Sequence, residues 1–495
     1  MMKTTIKKNY FFHTSYQILN ILVPFITTPY LSRVLGVSGI GLVSYANSVV
    51  SYFTLFATLG SATYAQRTIG YMQQKDEERS RVFIEILLFR FLTAAVTLLA
   101  YIAFLLTVKE YKTIYIILTV NLLNAVLDVT WFFQGMEEFQ IIVLRNVFFK
   151  VINIAMIFLL IKSPADLALY VFGTVVLSTG CNLSVWLCLK KYLIKVRMNT
   201  VHPLQHTKEI LQLFLPTIAV QIYTVLDKSM IGILTGSTAE NGYYEQADKV
   251  MKICLMLVAS LGTVMIPRIA NTYANQNMKL VKSYICRSYR FVWLTATPMF
   301  FGITAISDVF VPLFFGNGYE KVVILLPMVS SLLIIIGLSN VTGQQYFVPT
   351  MQQNKLTVSV TCGAVLNLFA NALLIPRIGS VGAAVGSIFA ECGVTAVQFI
   401  FLRKTGMFRT ADVLGTAPRY FVSSICMFAA LMILKRKLSI TAVTPGGLIM
   451  LIAAGAFFYG VGLILLRDDL FISLLRQMRM AIKRIIGNGD HNEKE

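Results

Sequence analysis

Residues 222–234 read IYTVLDKSMIGIL, with Asp227 and Lys228 side by side in a run long enough to cross a membrane. An ionised side chain at the centre of a bilayer costs roughly 2.5–3.5 kcal/mol on insertion scales. Such residues therefore face a protein interior or a wet cavity, and they mark binding sites or ion pathways. Arg90, Asp128 and Glu391 also stand inside apolar stretches. Glu85, Arg145, Lys150, Glu245 and Asp248 stand nearer the ends, where a side chain can reach the interface. Adjacent helical residues point about 100° apart, so Asp227 and Lys228 do not face one another. We expect Lys228 in a cleft and Asp227 paired with a lysine of the next stretch, which holds Lys249 and Lys252. Arg90 and Asp128 fit an ion pair or a substrate site equally. Glu391 suits a coupling proton or cation, or a hydrogen-bonded structural role. Net positive charge in a cleft suits an anion, and an amphipathic one if the cleft opens sideways to lipid.

The sequence points away from bond-making chemistry. It has no G-x-x-x-x-G-K-[ST] loop for ATP phosphates. GVSGIG (36–41) follows no strand and is not a dinucleotide fingerprint. His202 and His206 have helical spacing, but Pro203 interrupts it, so no metal site is expected. The seven cysteines contain no C-x-x-C and read as small core residues. No catalytic residue and no nucleic-acid partner are expected.

The elements that must position these charges are membrane helices. The chain has 495 residues, 56% hydrophobic and 13% charged, with mean hydropathy +0.71. Fourteen spans are expected, at 10–32, 41–64, 83–107, 113–134, 141–161, 166–189, 209–235, 242–267, 288–313, 322–347, 356–376, 380–402, 415–434 and 446–466. No gap between them can hold a soluble catalytic domain. MMKTTIKKNY leads directly into apolar sequence with no cleavage pattern, so no cleavable signal is expected. With both termini in the cytoplasm, most basic residues fall inside, and the run 435–437 is the exception. The segment 470–488 mixes apolar residues with Arg476, Arg479, Lys483 and Arg484, as a basic amphipathic helix on the inner leaflet would.

The chain repeats itself weakly. GLVSYANSVVSYFTLFATLG (41–60) resembles GYYEQADKVMKICLMLVASLG (242–262), with Gly41 on Gly242 and Ala46 on Ala247, an offset of 201. WFFQGMEEFQ (131–140) resembles YFVPTMQQNK (346–355), with Met136 on Met351. Aligning Gly36 with Gly236 sets Thr27 and Thr28 opposite Asp227 and Lys228, so the charges belong to one copy. Six spans per copy keep the two in the same orientation, as in parallel transporter repeats. The fold expected is an all-α membrane protein with two six-helix lobes and two extra C-terminal helices. Its divisions are 1–200, 201–410, 411–467 and a tail 468–495.

TPYLSRVLGVSGIGLVSYANSV (28–49), WFFQGMEEF (131–139) and LDKSMIG (226–232) resemble the Wzx-type polysaccharide repeat-unit flippases. These form a branch of the superfamily that includes the multidrug and toxin extrusion transporters. The resemblance covers nearly the whole chain. It implies transport of an undecaprenyl-diphosphate-linked oligosaccharide across the bacterial plasma membrane by alternating access, driven by a proton or sodium gradient. It implies contact with membrane lipid, and with polymerase and chain-length machinery as partners. It makes Arg33 and Lys228 candidates for the cleft. A cation-coupled multidrug exporter and a lipid II flippase are the alternatives within the superfamily.

Overall fold

The computed structural model describes residues 2–437, 444–477 and 480, and every regular element among them is helical. Twelve helical stretches among the described residues are long and apolar enough to cross a membrane. One of these, Leu22–Tyr71, takes in the last part of the span expected at 10–32 and all of the span expected at 41–64. Helix α9, Thr207–Thr235, lies over the span expected at 209–235. The twelve are thus consistent with the fourteen expected. Of the amphipathic tail expected over 470–488, most lies outside the described residues, and 469–477 is helical.

Helix ends follow local chemistry. Helix α3, Asp76–Thr107, opens on Asp76, Glu77 and Glu78, which complement the positive end of its dipole. Helix α9 closes on Gly236, whose left-handed backbone (φ 63°) lets its N–H reach the Gly232 carbonyl at 3.1 Å. Helix α18, Pro445–Leu465, begins with Pro445 after Thr444, whose hydroxyl accepts from the Gly447 N–H at 3.2 Å. Within the spans, hydroxyls donate back to carbonyls one turn earlier, as Ser32 does to Thr28 at 2.7 Å. This satisfies them where no water reaches.

The chain forms two compact units. The first comprises Met1–Glu245, Phe315–Gly318 and Asn371–Ala383. One of its apolar cores gathers Ile69, Phe83, Phe89, Trp131, Phe132 and Phe133, and another gathers Val50, Tyr101, Tyr115, Leu122 and Val171. The second unit comprises Gln246–Phe314, Tyr319–Ala370 and Ala384–Glu495. There the fully buried Asp468 accepts from Tyr420 at 2.9 Å and from Arg290 at 3.2 Å, and its other oxygen caps the Phe471 N–H at 2.9 Å. These bonds tie the end of the chain to α11, Met278–Phe315, and α17, Ala417–Lys437.

Several features of the repeat have backbone counterparts. Helix α1, Met2–Thr58, breaks at Gly36 (φ 67°), which the sequence aligns with the cap Gly236. Glu137 and Met351 both adopt left-handed conformations near φ 60°. The residue after each donates to a carbonyl five residues back, Glu138 to Phe133 and Gln352 to Phe347, both at 2.8 Å. The backbone therefore pairs Glu137 with Met351, one residue from the sequence match.

Gly41 and Gly242 do more than correspond. An added Cβ on Gly41 would strike the Thr238 carbonyl and lie 2.6 Å from the Gly242 nitrogen. One on Gly242 would strike the Val37 carbonyl and lie 2.8 Å from a Val37 methyl. Val37 and Thr238 are themselves equivalent at the repeat offset, so the contact is reciprocal. α1 and α10, Thr238–Ala274, thus cross with backbone against backbone. Gly41→Val or Gly242→Val should destabilise the protein by at least the 1–3 kcal/mol usual for overpacking. A lower melting temperature in detergent checks this, and Gly446→Ala, where nothing lies within 4 Å, should be close to silent.

Candidate functional site

The close crossing of α1 and α10 brings a polar cluster onto Lys228. Its ammonium lies 2.7 Å from Glu245 Oε2 on α10. The Ser44 hydroxyl on α1 donates to the same oxygen at 2.6 Å. The Lys228 and Glu245 side chains are 17% and 14% exposed, so the pair is largely withdrawn from solvent. Asp227 takes different partners. Its Oδ2 accepts from the Tyr244 hydroxyl at 2.5 Å and its Oδ1 from the Asn371 amide at 2.7 Å. The two charges are separated as the helix geometry requires.

The backbone around them is also engaged. The fully buried Asn241 amide is oriented to donate to the Lys228 carbonyl at 2.8 Å and accept from the Gly232 N–H at 3.0 Å. Those two groups are the pair that an uninterrupted helix would join to each other. Gly232 is needed because a Cβ there would run into the Tyr45 ring. Ser229 and Tyr52 share a hydrogen bond of 2.8 Å. Four helices, α1, α9, α10 and α14 (Gln353–Ile378), therefore converge on one pair of charges.

The other candidates are distributed. Arg33 is exposed, donates to the Pro29 carbonyl at 3.2 Å and packs its chain beside Gly316. In the second unit Lys252 meets Asp248, one turn away, at 2.8 Å, and its side chain is half exposed. Lys249 and Glu391 are partly buried on α10 and on α15, Ser380–Lys404. Arg90 is fully buried in the first unit. It donates to Ser61 at 2.8 Å and to the backbone carbonyl of Asp128 at 2.9 Å, with its guanidinium 5.4 Å from the Trp131 ring centre. The Asp128 carboxylate instead binds the Thr130 N–H at 2.9 Å and the Thr130 hydroxyl. Arg145 donates to that hydroxyl at 2.6 Å and to the Cys181 carbonyl at 3.0 Å.

One buried network joins residues that the sequence presented only separately. Glu85, expected near an interface, is wholly buried. It accepts from the His202 backbone N–H at 3.0 Å and meets His206 Nε2 at 2.9 Å. His206 Nδ1 meets the Tyr64 hydroxyl at 2.8 Å. The segment before α9 lies over Glu85 and shields it, which corrects the expectation. Only a Glu and two histidines in apolar surroundings hinted at this, and they lie more than a hundred residues apart.

Residues 6–273 match the model of the polysaccharide biosynthesis protein family. The chain is 22% identical over 410 residues to a putative O-antigen transporter of Escherichia coli K12, covering 81% of this chain and 97% of that protein. It is 25% identical over 378 residues to a putative O-antigen transporter of Shigella dysenteriae, covering 75% and 93%. A probable low-salt glycan biosynthesis flippase of Haloferax volcanii is 28% identical over 186 residues, covering 36% and 38%. In fold, the chain is similar to an inward closed lipid II flippase, with a TM-score of 0.75 at 15% identity over 92% of this chain and 99% of that one. An outward-facing multidrug transporter matches with a TM-score of 0.54 at 14% identity over 82% and 95%.

The Lys228–Glu245 pair makes a stability prediction. Removing one member of a buried pair strands the other and typically costs 3–5 kcal/mol, whereas removing both is far milder. Lys228→Met should lower the melting temperature of the purified protein, and adding Glu245→Gln should recover most of the loss. Equal melting of the single and double variants would show the pair to be uncoupled.

Proposed function

The chain belongs to the polysaccharide biosynthesis protein family, and on that premise we propose that it flips an undecaprenyl-diphosphate-linked oligosaccharide across the bacterial plasma membrane. The observation that carries this reading is the family match over residues 6–273, joined to two putative O-antigen transporters matched over more than nine-tenths of their length. The polytopic helical fold suits transport, in which binding and movement replace bond chemistry. Multidrug export and lipid II flipping draw on likeness of fold alone, at 15% identity and below.

In the proposed cycle the diphosphate is the handle. Lys228 is held by Glu245 in a site largely withdrawn from water. An entering diphosphate carries more charge than the carboxylate and can replace it on the ammonium. Glu245 would then lose its partner at the crossing of α1 and α10, favouring a different arrangement of the helices. A ligand drives such a change only through its differential affinity for the two states, and this exchange supplies one. Arg33, Arg90, Lys249 and Lys252 are the further cations proposed for the path. Asp128, Asp227 and Glu391 are proposed to hold a coupling proton or sodium ion, or to serve as ion-pair partners. The lobes 1–200 and 201–410 are proposed to rock about the axis of the repeat. The distribution of basic residues supports cytoplasmic termini. Polymerase and chain-length machinery are the proposed partners on the far side.

Lys228→Ala should abolish surface polysaccharide in a complementation assay, a greater loss than the fall in inserted protein on immunoblots accounts for. Lys228→Arg should retain more export than Lys228→Ala, because the cation is what the diphosphate requires. Normal export by Lys228→Ala would remove Lys228 from the mechanism.

A further inference from the structure

The first unit holds a cavity of about 450 Å³ whose lining is unusual for a membrane helix bundle. Asn47 and Ser51 of α1 face it, with Asn121 and Asn124 of α5 (Val120–Leu127), Asp128 at the end of that helix, and Asn182 of α8 (Leu167–Leu189). All of these residues lie within stretches that cross the membrane. Polar groups at such depth persist where they face a wet cavity or a polar partner. The volume lies within the roughly 300–1,000 Å³ typical of ligand sites.

The bonding inside the cavity is incomplete. Asn124 is 6% exposed, and its side-chain oxygen has no partner among the described residues. Its amide nitrogen reaches Asn121 only at 3.5 Å. Asn182 donates to the backbone carbonyl of Asn124 at 3.2 Å. Asp128 commits Oδ1 to Thr130, and Oδ2 takes no part in that cap. A buried acceptor left unmade costs about 1–3 kcal/mol, so a ligand or water that donates to it is favoured.

The kind of ligand follows from the donors and acceptors. No lysine or arginine lines the cavity, so a diphosphate finds no counter-charge there. The amides both donate and accept, as sugar hydroxyls do, and the Ser51 and Thr54 hydroxyls, whose protons go to the Ser48 and Ser51 carbonyls, add acceptors. One carboxylate oxygen adds an acceptor for a hydroxyl pair. We propose that this cavity is a sugar subsite, binding an uncharged hexose of the lipid-linked substrate. The inference rests on the flippase reading and assigns the sugar a place separate from the diphosphate.

Two lipids separate the possibilities. The full-length protein in nanodiscs is titrated with undecaprenyl diphosphate, and with undecaprenyl diphosphate bearing the oligosaccharide extracted from cells that assemble it. The expected result is tighter binding of the sugar-bearing lipid by about tenfold or more, equivalent to about 1.4 kcal/mol. Asn47→Leu combined with Asn121→Leu should erase that difference and leave binding of bare undecaprenyl diphosphate unchanged. If the double variant fails to fold, Asn47→Leu alone, at an exposed position, should narrow the gap. A gap that survives substitution, or no gap in the unmodified protein, overturns the sugar subsite and leaves the flippase reading standing. Failure of the unmodified protein to bind either lipid removes the flippase reading and this inference with it.

Discussion

The Thr238 carbonyl lies where a Cβ of Gly41 would have to be, and the Val37 carbonyl lies where a Cβ of Gly242 would be. That double exclusion sets how near α1 and α10 can come. Ser44 is one turn beyond Gly41, and Glu245 is one turn beyond Gly242. Their 2.6 Å hydrogen bond therefore depends on the missing side chains. Glu245 in turn meets the Lys228 ammonium at 2.7 Å. A packing constraint that carries no charge thus fixes where the charges can be.

The same economy appears at the other buried ions. Their partners differ in kind. Lys228 meets a carboxylate, and Arg90 a hydroxyl, a backbone carbonyl and an indole face. Neutral acceptors hold a guanidinium in place without cancelling its charge. An ion pair cancels more of it, and an arriving anion can compete for the cation. Lys228 with Glu245 is therefore better suited to exchange than Arg90, whose partners carry no net charge to be displaced.

Much of this was legible in the sequence, and the limits have physical causes. Hydrophobic runs of twenty residues have few structural alternatives, so the spans stood out. The Gly41–Gly242 alignment marks two positions where a Cβ has no room. The separation of Asp227 from Lys228 followed from helix geometry. What could not be read was which residue from a distant segment would arrive. Asn371 reaches Asp227 across 144 positions, and His206 reaches Glu85 across 121. Arg90 meets Asp128 through its backbone carbonyl rather than its carboxylate, which turns to the start of the next helix, Thr130–Gly135. Side-chain direction at a helix end is set by capping, which spacing alone does not reveal.

The reciprocal crossing also bears on ancestry. In a dimer of identical subunits, a residue on the axis meets its own copy, so position 44 and position 245 would be the same amino acid. Two serines there would remove the carboxylate that Lys228 meets, and two glutamates would repel each other. Duplication and fusion of a gene lift that restriction, because each copy can then mutate alone. Ser44 and Glu245 are such a divergence at one point of contact. The asymmetry that holds the lysine is therefore closed to a symmetric dimer of identical chains and needs two copies of different sequence.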